Sequence, residues 1–228
     1  MQCLTTGLGA LIVLGILGLV GFFIVADERR GHAEPAGAPS PSAPWAISSR
    51  AVDPEPLSLA EVFPDPEITL LSGSQPYRVT ATDIGTDCDL ATTGALGGIL
   101  AARDCSQVVR ASVTAPYGGY RVTTGVFNLA DEAGAARVGR ELRDVVETGV
   151  GNFAAMADGG AVSGTDPQAP PSSQVGWHNI GHFLLYCVIE RPDGRAISAD
   201  DPYAGRITVD LLESYLSGDV LTARIVNP

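Results

Sequence analysis

Residues 1–26 carry no charged side chain, and Leu4 to Val25 is apolar apart from threonine and glycine. At a rise of about 1.5 Å per residue, some 20 such residues span a hydrocarbon core of roughly 30 Å. A cleaved signal peptide is the competing reading. Its apolar region is shorter, follows a basic start and ends at a small-x-small site. No lysine or arginine precedes this run, and Ile24-Val25-Ala26 is a poor cleavage site, so the segment reads as a retained transmembrane helix, residues 1–26. Arg29 and Arg30 lie just after it, and a literal positive-inside count would leave the rest of the chain in the cytoplasm. The proline-rich spacer and the cysteine usage favour the opposite orientation: a single-pass cell-membrane protein with its C-terminal part extracytoplasmic.

Residues 33–75 hold half of the 16 prolines, among them Pro35, Pro39, Pro41 and Pro44. Proline fixes φ and removes a backbone donor, so such a stretch favours extended conformations. Residues 27–75 are therefore expected to be a flexible linker, with the scattered apolar side chains of its later part, Trp45 to Leu71, packing partly on the domain that follows. That domain, residues 76–228, holds 18 carboxylates against 11 arginines, and the chain contains no lysine. An acidic surface repels phosphate backbones and anionic lipid heads, which excludes nucleic acid as the natural partner.

From Pro76 onward strand and helix signals alternate. Tyr77 to Thr82 alternates as a strand should, and Asp89 to Arg103 reads as a helix weakened by Gly94, Gly97 and Gly98. Gln107 to Thr114 and Tyr120 to Leu129 flank a short Pro-Tyr-Gly-Gly connection that predicts a hairpin. Asp131 is the expected N-cap of a helix whose buried stripe is Val138, Leu142, Val145 and Val146, with Arg–carboxylate pairs four apart on the other face. Residues 158–176 read as an exposed loop. Gly181 to Glu190 reads as an apolar strand ended by an Arg-Pro-Asp-Gly turn. A helix over Arg206 to Leu216, stopped by Gly218, and a strand over Val220 to Val226 complete the chain. The order predicts an α+β fold with a ferredoxin-like antiparallel sheet and helices on one face.

Cys88, Cys105 and Cys187 lie in this domain. Cys187 sits in an apolar run and is expected to be a buried thiol, which leaves Cys88 and Cys105 as a predicted disulfide, with Cys88 to Cys187 the fallback. A straight helix across residues 89–104 would hold the two ends about 20 Å apart, and a disulfide needs Cα atoms within about 7 Å. Residues 89–93 must therefore run back along a shorter helix starting near Gly94. No cysteine pair has the C-x2-C spacing of a structural zinc site, so neither metal nor cofactor is expected.

His178 and His182 are the functional candidates. On a helix their spacing of four suits a metal, but the H-E-x-x-H glutamate is replaced by Asn179 and the surrounding run is strand-like. No G-x-S-x-G elbow is present, and a lysine-free chain has no phosphate-binding P-loop. The groups Asp83, Asp87 and Asp89, and Asp193, Asp200 and Asp201, lack the EF-hand pattern and read as solvated loops.

The run Asp104-Cys105-Ser106-Gln107-Val108-Val109-Arg110-Ala111, the later Thr124-Gly125-Val126-Phe127-Asn128-Leu129, and Gly181-His182-Phe183-Leu184 ahead of a Pro-Asp-Gly turn resemble segments of uncharacterised single-pass membrane-anchored proteins of actinobacteria. The resemblance covers residues 86–226. It implies an extracytoplasmic domain and transfers no active-site residue. Taken with the architecture, a sequence in which none of these catalytic motifs is complete leads to the expectation of a non-enzymatic binding or interaction module, contacting an unidentified protein or small ligand. The alternatives are a cell-envelope hydrolase using His178 or His182 with an aspartate such as Asp200, and a sensor domain modulating a signalling partner.

Overall fold

A computed structural model describes residues 45–70, 74–156, 173–198 and 201–226. The expected transmembrane helix, residues 27–44 of the expected linker, and Asp200 lie outside the described residues. Among the described residues no helix is long and apolar enough to cross a membrane.

The fold is α+β. Six strands form one sheet: β1 (Glu67–Ile68), β2 (Tyr77–Gly85), β4 (Gln107–Thr114), β5 (Arg121–Asn128), β7 (Ser173–Ile180) and β8 (Phe183–Glu190), in the order β1-β2-β4-β5-β8-β7. Every neighbouring pair is antiparallel. A small ribbon pairs β3 (Thr92–Gly94) with β6 (Gly151–Phe153). The helices are α1 (Leu59–Val62), α2 (Leu96–Ala101), α3 (Glu132–Glu147), α4 (Pro202–Thr208), a π-helical run (Val209–Leu221) and α5 (Thr222–Val226).

Strand β8 shows how the layers arise. Its alternate residues Phe183, Leu185, Cys187 and Ile189 join one core with Ile207, Leu211, Leu212 and Leu216 of the C-terminal helical run. The intervening Leu184, Tyr186 and Val188 join a second core with Leu96, Leu100, Val138 and Leu142 of α2 and α3. A strand buried on both faces needs no polar alternation, which is why the sequence is a continuous apolar run. Helices therefore cover both faces of the sheet, not one.

The order also departs from the ferredoxin-like one. In a split βαβ unit the strands flanking a helix run parallel, whereas β2 and β4 are adjacent and antiparallel, with Gly85 opposite Val108. The excursion between them returns to its starting edge. Its ends are tied by Cys88 and Cys105, whose Cα atoms lie 6.4 Å apart. A 3-10 turn over Cys88–Ala91 and strand β3 carry the chain back, so that the helix starts only at Leu96. The fallback pairing is excluded by the layers, because Cys88 and Cys187 belong to cores on opposite faces. By the loop-entropy relation the closed loop contributes about 3 kcal/mol. Reduction, or the Cys88→Ser/Cys105→Ser pair, is expected to lower the melting temperature accordingly, and a melt unchanged by reductant would contradict it.

Asp131 caps α3 by accepting from the Gly134 amide at 2.6 Å, and Val138 and Leu142 are buried beneath it. On the solvent side Glu141 pairs with Arg103 at 3.4 Å. Two further elements differ from expectation. Residues 173–180 belong to β7, whose Trp177 Nε1 donates to Gly139 O at 3.2 Å and whose Asn179 amide donates to Ala135 O; this strand uses polar groups to dock on α3, so it lacks an apolar alternation. Residues 220–226 are helical, because Asp201 caps α4 with Pro202 at its first turn and the helical run continues through Gly218 with Val220 and Leu221 buried.

The folded unit also reaches further toward the N-terminus than residue 76. Ile47, Leu57, Val62 and Ile68 are core residues. The side-chain amide of Gln107 brackets Leu57, donating to its carbonyl at 2.8 Å and accepting from its N–H at 3.0 Å. Residues 45–70 thus pack into the folded unit, more fully than the partial packing expected of Trp45 to Leu71.

Candidate functional site

At one end of the sheet three elements bring four tyrosines together. Tyr77 opens β2, Tyr117 and Tyr120 lie in the β4–β5 connection, and Tyr203 stands in the first turn of α4. In the connection Gly118 has φ 64°, and a Cβ there would strike the Tyr120 ring, so glycine is what lets Tyr120 turn inward. The Tyr120 hydroxyl donates to Asp201 Oδ2 at 2.7 Å, while Asp201 Oδ1 accepts from the Tyr203 and Ala204 amides at 2.9 and 3.0 Å. One aspartate thus caps the helix and joins it to the hairpin.

Some two turns further along the helical run, Asp210 Oδ2 accepts from the Tyr77 and Tyr117 hydroxyls at 2.8 and 2.7 Å, and those two hydroxyls also contact each other. Arg206 Nε lies 3.5 Å from the same oxygen, and the Arg206 guanidinium carbon sits 5.3 Å from the centroid of the Tyr117 ring. The Tyr203 ring stacks on Tyr117 with centroids 5.4 Å apart. Tyr77, Tyr117, Arg206 and Asp210 border a cleft of about 360 Å³ whose other walls are Leu70, Ser74, Gln75 and Pro116.

Burial is the main cause that pushes the Tyr117 phenol up to about 12, with Asp210 adding to it and Arg206 opposing. The Tyr77 phenol lies higher still, through burial first and then its hydrogen bonds to Tyr117 and Asp210. Both therefore stay protonated near neutrality and act as hydrogen-bond donors, not as phenolate nucleophiles. The cleft offers aromatic faces, an apolar wall and one carboxylate held by oriented donors: the mixture typical of a small-ligand pocket.

The predicted candidates are elsewhere. His178 is exposed on β7, whereas His182 is wholly buried in the two-residue turn between β7 and β8, so the two side chains stand in different surroundings. His182 Nδ1 lies 3.0 Å from Ile47 O, to which it donates, and its Nε2 lies 3.8 Å from Asp53 Oδ2. Burial lowers the His182 pKa below its usual 6.5, with Asp53 pulling the other way. The unfolded chain thus binds this proton more readily than the folded one. The resulting stability is complete above 6.5 and is lost as the pH falls below it. Denaturation midpoints are expected to drop on acidification from pH 7 to 5, and to drop less in His182→Asn; equal slopes for the two proteins would refute this.

The described members of the acidic groups make local contacts. Asp83 pairs with the buried Arg110 at 2.8 Å, Asp87 accepts from the Asp89 amide at 3.1 Å, and Asp193 holds Arg191 and Arg195 at 3.0 and 2.8 Å. Among the described residues no group of three or more His, Cys, Asp or Glu is placed to hold a metal ion. Tyr77, Tyr117, Tyr203, Arg206 and Asp210 were not among the candidates expected from the sequence. The available signal was that four of the six tyrosines flank strand and helix starts, with Arg206 and Asp210 four apart on a predicted helix.

No protein-family model, no curated protein and no solved structure matches the chain.

Proposed function

We propose that this chain is a membrane-anchored envelope protein whose extracytoplasmic domain is a non-enzymatic binding module, with the tyrosine cleft as its ligand site. The observation that carries the reading is the cleft: about 360 Å³, which falls in the size range of small-molecule sites, with a few convergent polar groups over apolar walls. Anchoring rests on the uncharged first 26 residues. The extracytoplasmic placement draws on Cys88 and Cys105 standing at bonding distance, since such bonds persist in oxidising compartments.

The test is a fragment screen on the full-length protein by nuclear magnetic resonance. Bound fragments are expected to perturb the signals of Tyr77, Tyr117 and Tyr203, and Tyr117→Ala is expected to abolish those perturbations in a protein that still folds. Fragments that collect elsewhere, or a cleft silent to all of them, would overturn the assignment. So would a turnover that survives Tyr117→Ala.

A further inference from the structure

We propose that the ligand of the tyrosine cleft is an organic cation, an alkylammonium or guanidinium group, and that Arg206 occupies the site as an internal stand-in. The inference rests on the binding-module reading above and names the chemistry of the same cleft.

Arg206 is already placed as such a ligand would be. Its guanidinium carbon lies 5.3 Å from the Tyr117 ring centroid and its Nε 3.5 Å from Asp210 Oδ2, the two contacts by which an aromatic face and a carboxylate hold a cation. Yet its side chain is 61% exposed while that of Asp210 is only 19% exposed. The cation of this pair is held loosely and the anion is fixed by two phenol hydroxyls. With its guanidinium largely in solvent, Arg206 gives up little when it swings out, provided another cation takes its place beside Asp210.

Whatever replaces Arg206 must then neutralise Asp210. A neutral ligand in that position would leave a largely enclosed carboxylate with hydrogen bonds but no counter-charge, and an anion would face it directly; both are penalised. A cation meets the carboxylate and the negative ring face of Tyr117 together, and the walls at Leu70 and Pro116 suit alkyl groups on it. The formal charge of −12 further favours cations in the encounter.

The experiment titrates the full-length protein with tetramethylammonium and methylguanidinium chlorides against sodium chloride at matched ionic strength, following the ring signals of Tyr117 and Tyr203. Both organic cations are expected to shift these signals. Arg206→Ala removes the internal competitor and is expected to tighten binding about fivefold, the factor by which a closed latch of exposed-pair strength reduces apparent affinity. Asp210→Asn is expected to weaken it about tenfold or more. Should Asp210→Asn fail to fold, the exposed Arg206 variant decides alone. Unchanged or weaker binding in Arg206→Ala, or acetate or glycerol moving the same signals as strongly as tetramethylammonium, overturns the cation assignment. Neutral or anionic fragments seated in the cleft would sink only that assignment, whereas a cleft that binds nothing would sink the module reading as well.

Discussion

Arg224→Ala is expected to destabilise the domain by about 4 kcal/mol, the cost of removing one partner of a buried ion network. The Arg224 side chain is only 9% exposed. Its guanidinium meets Asp53 through two bonds, Nε to Oδ2 and Nη2 to Oδ1, each 2.7 Å, and Glu61 Oε1 through Nη1 at 2.7 Å; it also donates to the Glu55 carbonyl. Alanine leaves two carboxylates in partly enclosed positions with no counter-charge beside a buried histidine. Equilibrium denaturation of the full chain measures the loss. A companion variant, Arg224→Met with Asp53→Leu and Glu61→Met, is expected to recover most of it, because an apolar set of similar volume removes the uncompensated charges. A loss below about 1 kcal/mol for the single change would mean that solvent reaches the cluster freely.

Gly181→Ala is expected to cost about 3 kcal/mol at the same junction. Gly181 has φ 53°, a conformation that alone penalises an L side chain by roughly 1–2 kcal/mol. A Cβ there would also fall on the Ile47 carbonyl oxygen, the acceptor of both the His182 amide at 2.9 Å and the His182 ring at 3.0 Å. Gly194 separates the two contributions. It has φ 68° and nothing within 4 Å of its missing Cβ, so Gly194→Ala incurs the backbone penalty only. The difference between the two variants reports the clash; equal losses would show that Ile47 yields without resistance.

The elements legible in the sequence were those with strong local signals. The α3 cap at Asp131 with its Val138–Leu142 stripe, the β4–β5 hairpin around paired glycines, and the apolar β8 each follow from residues close in the chain. The return path that brings Cys88 to Cys105 was legible as a geometric condition. Strand β7 was not legible, because Trp177 and Asn179 exchange strand-like alternation for bonds to α3 carbonyls that only the tertiary fold supplies. Residues 220–226 carry strand-prone side chains, yet Val220 and Leu221 gain more by extending a buried helical face. The cleft escaped notice for a similar reason. Tyr77, Tyr117 and Asp210 are separated by 40 and 93 residues, and phenols form no motif until the sheet gathers them. The histidines, by contrast, are close in the chain, yet one is exposed on β7 and the other buried in the turn that follows it.

The junction of Arg224 with Asp53 and Glu61 joins positions 171 and 163 residues apart. On the ribosome the segment from Trp45 to Val62 is therefore made well before Arg224, and its charges find their partner only after that residue has emerged. Nascent chains that stop short of Arg224 should present that segment to chaperones and proteases, and seal it once α5 arrives.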